Sequence, residues 1–184
     1  MRKLTALVLA LCLVCSMTCA VAEGTQEIKV GKMSLLLPAG LEGAGVYSND
    51  EEGLAITNYL CEDYSVTVNT LEMGLVGDAY SLSRDQLEDD NATVLSWSLQ
   101  LFAGLDGETA QTFVQTSKQV NLQEREWKVF SAGNLVILAH CSQGTGVAIM
   151  LALNNEGTSI SQNELTTIGF DIACTLRVEE DVEQ

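Results

Sequence analysis

His140 and Cys141 stand side by side, and a thiol beside an imidazole is a pairing that nucleophilic catalysis uses. Their spacing argues against that use. Neighbouring side chains of a strand point to opposite faces, so these two cannot bond each other there. Another thiol, Cys61 or Cys174, could still meet His140 in space. The plainer reading, preferred here, is a core or turn-end histidine beside a buried cysteine. A zinc site needs three or four converging Cys or His ligands. Beyond residue 22 only Cys61, His140, Cys141 and Cys174 are of those types, with no Cys-x-x-Cys pair. Hard cations take carboxylates, and Asp50-Glu51-Glu52, Glu88-Asp89-Asp90 and Glu179-Glu180-Asp181 are acidic triplets. None has the alternating Asp-x-Asp-x-Asp-Gly order of a calcium loop. Consecutive carboxylates on loops are read as solvated.

Other chemistry is equally unsupported. Gly144-Thr145-Gly146 sits between two expected strands and opens no helix, so it is a turn and not a phosphate cradle. There is no Gly-x-Ser-x-Gly elbow. Asn91-Ala92-Thr93 matches a glycosylation acceptor, a match common by chance. Trp97, Trp127 and the four tyrosines form no stripe that suggests sugar binding. The expectation is no catalytic residue, no cofactor and no metal.

The elements around these residues follow from periodicity. Residues 28–37 read as a first strand, bent at Gly31-Lys32 where the apolar phase shifts, and stopped by Pro38-Ala39-Gly40. Residues 23–27 read as a frayed end, and residues 43–53 as a Gly- and acid-rich connection. Residues 54–61 and 64–73 form a strand pair turning at Glu62-Asp63, the second alternating Val66, Val68, Thr70 against Thr67, Asn69. A helix is expected over residues 93–103, capped by Asp90, Asn91 or Thr93 and closed by Gly104, with a further helical turn over residues 83–89. Residues 112–122 alternate through Val114, Thr116, Val120 and Leu122, and read as a strand. Residues 126–132, 135–141 and 147–153 follow as three more. The last two are apolar at almost every position, which predicts central strands covered on both faces. A final helix carries Leu165, Ile168, Ile172 and Leu176 as one stripe, with Thr158, Ser159 or Ser161 as its cap. The expected fold class is α+β: an antiparallel sheet of about six strands between helices.

Residues 1–22 read as a secretion signal. Arg2 and Lys3 make a basic start, residues 4–14 an apolar stretch, and Ala20-Val21-Ala22 a small-residue cleavage motif. Cleavage is expected after Ala22, with Ala20 and Ala22 as the recognised residues. A lipoprotein fits less well: Cys15 follows the large Val14, and Cys19 follows Thr18 with Ser16 where Leu would stand. A membrane anchor would want about 20 apolar residues. Removing the segment leaves one domain, residues 23–184, with an acidic tail.

Cleavage changes two counts. Of six cysteines, Cys12, Cys15 and Cys19 leave, and Cys61, Cys141 and Cys174 remain. At most one intramolecular disulfide can form, with three pairings open, so a disulfide scaffold is excluded. Losing Arg2 and Lys3 moves the formal charge from −16 to −18. Such a surface repels phosphate backbones and anionic lipid heads. No nucleic acid, and no membrane insertion after cleavage, is expected.

The run of the opening strand into Leu37-Pro38-Ala39-Gly40, the tandem hairpin of residues 126–153 and the Ile172/Leu176 register of the last helix resemble the PsbP-like α/β/α sandwich. The likeness spans nearly all of residues 23–184. It implies an exported domain, of which many are bacterial. Relatives in photosynthetic water oxidation have binding or assembly roles instead of catalysis. No functional residue carries over, because the chain has one His and few basic residues. Three functional expectations follow. The first is an exported, non-enzymatic accessory or binding domain, with a cell-surface protein or a cation as partner. The alternatives are an extracytoplasmic hydrolase-type enzyme using scattered carboxylates or a thiol, and a small-ligand or cation sensor.

Overall fold

The computed structural model describes residues 24–84, 87–154 and 158–178. The expected signal, with Ala20 and Ala22, and the acidic tail from Glu179 lie outside the described residues. The chain runs β1 (Thr25–Val30), β2 (Met33–Pro38), β3 (Glu42–Asn49), β4 (Leu54–Leu60), β5 (Tyr64–Glu72) and α1 (Met73–Ala79). It continues through α2 (Asp90–Ala103), α3 (Gly107–Thr116), β6 (Lys118–Leu122), β7 (Arg125–Ala132), β8 (Leu135–Ser142) and β9 (Thr145–Leu153). It closes with α4 (Gln162–Cys174) and β10 (Arg177–Val178).

Seven strands form one antiparallel sheet in the order β3-β4-β5-β9-β8-β7-β6. The fold is therefore α+β with one strand more than expected. The all-apolar β8 and β9 lie at its centre, because only there can both faces of a strand be covered. On one face Val66, Val68, Val136, Leu138, Ile149 and Leu151 pack beneath α4 and a small sheet ordered β1-β2-β10. On the other, Leu71, Phe130, Ile137, Ala139 and Ala148 pack beneath the α1, α2 and α3 layer. One expected helical layer is thus half sheet: β1 and β2 supply Ile28, Val30, Met33, Leu35 and Leu37 to the first core.

Local chemistry explains the ends of the helices. Asp89 caps α2, its carboxylate accepting from the Ala92 N–H at 2.7 Å, one residue before the expected caps. Gly104 closes it as expected. Ser161 caps α4 in a capping box with Glu164, which satisfies two backbone donors reciprocally. Gly169 stands where the helix meets the sheet: a Cβ there would come within 2.7 Å of Leu138. Its missing side chain lets α4 lie close over β8 and β9.

Five expected elements differ. The strand over residues 28–37 is two strands, because Gly31 takes φ +56° and reverses the chain. The frayed end is already paired from Thr25. The connection over residues 43–53 contains β3, whose side chains are nearly all exposed and so show no apolar alternation. The strand over residues 112–122 is the end of α3 followed by β6. There Ala110 and Val114, one helical turn apart, are both buried, and Phe113 stacks on Phe130 at 5.0 Å between centroids. Asp106 fixes the start of α3 by accepting from the Thr109 N–H and hydroxyl. Of the expected helical turn over residues 83–89, residues 83–84 and 87–89 are not helical, and residues 85 and 86 lie outside the described residues. The local helix is α1, just upstream.

Candidate functional site

The residues singled out by type are kept apart. His140 and Cys141 point to opposite faces of β8: His140 lies against Trp127 at 5.1 Å between centroids, and Cys141 joins the α2 side. The His140 Nδ1 lies 2.9 Å from the Glu126 carbonyl, so that nitrogen carries the proton and donates. Burial pulls the imidazole below its ordinary range and pushes the Cys141 thiol above its own. Cys141 is thereby made less nucleophilic, the reverse of an activated thiol. Cys61, Cys141 and Cys174 form no disulfide with one another. Cys61 sits at the β4–β5 turn, Cys141 at the far end of the sheet, and Cys174 at the last turn of α4. No described group of three His, Cys, Asp or Glu residues could hold a metal ion.

One acidic triplet is structural and not merely solvated, which corrects the sequence reading. Lys128 on β7 is buried, and its Nζ is 2.8 Å from Glu88 and 3.8 Å from Asp89. Asp89 also caps α2, and Asp90 lies 3.8 Å from Arg84. The glycosylation-like Asn91 is structural too. Its Oδ1 accepts from the Cys141 N–H at 2.7 Å and its Nδ2 donates to the Glu126 carbonyl at 3.1 Å. The β7–β8 pairing stops at Lys128 and Ala139, and this amide spans the gap beyond.

The other triplet lies at a different kind of place. Asp50, Glu51 and Glu52 turn the chain from β3 to β4, and Asn49 Oδ1 accepts from the backbone N–H groups of Glu51 and Glu52. This turn aims Glu52 at two phenols. The hydroxyls of Tyr80 and Tyr47 both donate to its Oε2, at 2.5 and 3.3 Å. Holding that proton against a carboxylate pushes the Tyr80 phenol up to about 12. Tyr47 comes from β3 and Tyr80 follows α1, so three elements converge here. A cleft of about 420 Å³ opens beside the same turn, walled by Lys32, Ser48, Asp50, Thr70, Glu72 and Leu75.

The surroundings set this end of the molecule apart. The exposed large apolar side chains of the described residues are Val46, Tyr47, Leu60, Leu75 and Tyr80. All five fall within β3, β4 and the α1 region. Residues 33–83 hold eight carboxylates and no Lys or Arg. Among the described residues β3 has a neighbour on one side only, and Val46 is 79 % exposed. Sequence reading singled out Glu52 only as part of an acidic triplet, and missed Val46 and the convergence of Tyr47 and Tyr80 on Glu52. The signal available was a Val-Tyr pair just ahead of an Asn-Asp-Glu-Glu-Gly turn.

No protein-family model matches the chain, and no curated protein matches it. Among solved structures it is similar to the solution structure of cyanobacterial PsbP from Synechocystis, at 13% sequence identity and a TM-score of 0.46. That likeness covers 86% of this chain and 95% of the other. No residue role is taken from it. No helix among the described residues is long and apolar enough to cross a membrane.

Proposed function

We propose that this is a non-catalytic, extracytoplasmic binding domain that works by holding a partner at the β3 end of its sheet. The observation that carries it is the coincidence there of the exposed apolar side chains, an edge strand and a strip of carboxylates that outnumber the one lysine beside them, Lys32. Large exposed apolar side chains confined to β3, β4 and the α1 region, among polar groups, are what an interaction surface there would present. The charge sets the sign of the partner: a basic protein surface is attracted, and nucleic acid is repelled. The basic start and Ala-x-Ala motif of residues 1–22 support export. The raised Cys141 thiol and its separation from the His140 face support binding over catalysis.

Carbodiimide cross-linking tests this, because it joins carboxylates to lysine amines in contact. Applied to the native extracytoplasmic fraction, it is expected to place partner cross-links on Glu42, Asp50, Glu51, Glu52, Glu72 or Asp78. Cross-links confined to Glu108, Glu124 or Glu164 would overturn the assignment. So would a turnover activity abolished by one point substitution.

A further inference from the structure

We infer that β3 receives a strand: an extended, lysine- or arginine-bearing segment of a partner protein pairs with its outer edge and extends the seven-stranded sheet. The inference rests on the binding reading above and adds the form and chemistry of what is bound. Edge strands offer a row of backbone donors and acceptors, and proteins ordinarily guard them with lysine, proline or a covering element. β3 has no Lys and no Pro, and its one irregularity is the register shift between Gly43 and Gly45. From Gly45 to Asn49 it pairs with β4 in unbroken register, so five residues present a regular edge. Val46 and Tyr47 lie on opposite faces of that edge, where they can flank alternate side chains of an added strand.

The charge chooses the occupant. A second copy of this chain would set Glu42 and the Asp50-Glu51-Glu52 turn against another such set. Like charges directly opposed in a sheet are destabilising, and the whole chain carries −16. A basic segment meets the reverse situation. Its cationic head can lie over the rings of Tyr47 and Tyr80 while facing the Glu52 carboxylate on which both hydroxyls converge. Aromatic faces beside a carboxylate suit an ammonium or guanidinium group. Strand addition supplies affinity through the main chain, and this cation pocket supplies selectivity.

The test uses two peptides of alternating Lys and Val, identical except that one is N-methylated at alternate backbone nitrogens. Methylation removes strand donors and keeps the charge. The purified protein is expected to bind the unmethylated peptide at least about tenfold more tightly. Val46→Lys guards the edge at an exposed position and is expected to cut that binding about tenfold. Its melting temperature should match the parent, which checks folding. Tyr47→Ala and Glu52→Gln are expected to weaken binding of both peptides. Equal binding of the two peptides, still sensitive to Tyr47→Ala, would overturn strand addition and leave the binding surface standing. Binding insensitive to Tyr47, Glu52 and Val46 would overturn both. A dimer in sedimentation that Val46→Lys dissolves would also overturn the inference, since a second copy would then occupy the edge.

Discussion

The two edges of the seven-stranded sheet are built in opposite ways. At one edge, β6 carries Lys118, and its Val120 and Leu122 turn inward onto the core beneath α4. α3 enters it directly, with only Ser117 between. The Arg125 guanidinium on β7 donates to the Leu176 carbonyl at 2.8 Å, tying this side to the segment after α4. At the other edge, seven of the eight β3 residues are exposed and only Asn49 is half-buried. One edge is half-buried against the core and carries a lysine that guards it against pairing. The other contributes little to the core, and its exposed apolar groups are the ones that the proposed binding role would use. A sheet needs burial to be stable, but not at every strand, and the strand released from that duty can bind.

That contrast can be broken by substitution, and the largest effect should come from the covered side. Trp127→Ala, at a fully buried site beside His140, should cost about 3–5 kcal/mol in denaturant unfolding. Tyr47→Ala at the open edge should stay within about 0.5 kcal/mol. A comparable loss at both sites would mean that β3 is part of the stability core after all. Asn91→Ala should rank next. It strips the amide that bridges Glu126 and Cys141, and although the Glu126 carbonyl keeps its bond from His140, leaving the Cys141 N–H unpaired should cost about 1–3 kcal/mol.

Smaller effects sharpen the picture of the covered edge. The β6–β7 turn holds Gln123 at φ +48° and Glu124 at φ +64°, a conformation that disfavours side chains. Glu124→Gly should therefore raise stability by about 1 kcal/mol. His140 gives a pH signature. Its folded pKa is depressed by burial, so the unfolded chain takes the proton first as pH falls. Its contribution is full above about pH 6.5 and is lost as pH falls through the lower folded value. The melting temperature of the parent should decline through that window more steeply than that of His140→Gln. Parallel curves would show that the ring is solvated.

How much of this could be read from the chain follows the same contrast. β8 and β9 were legible because burial on both faces leaves unbroken apolar runs, and the α4 stripe was legible because one face is buried. β3 was not, since a strand that buries nothing prints no alternation on its residues. Residues 112–122 were ambiguous for another reason. Val114, Thr116, Val120 and Leu122 fit period two, while Ala110, Phe113 and Val114 fit a helical turn, and packing on Phe130 decides. The site was hidden by distance along the chain. Tyr47 and Tyr80 meet only because the β3–β4 turn carries Glu52 to both. The visible chemistry, His140 beside Cys141, was local and is divided by the sheet.

The most direct test of the central claim is amide hydrogen exchange on the two edges, with and without the unmethylated Lys–Val peptide. The account predicts that the β3 amides of residues 45–49 gain protection when the peptide is added, while those of β6, residues 118–122, are unchanged. Protection at β6, or protection spread evenly over the sheet with none added at β3, would contradict it.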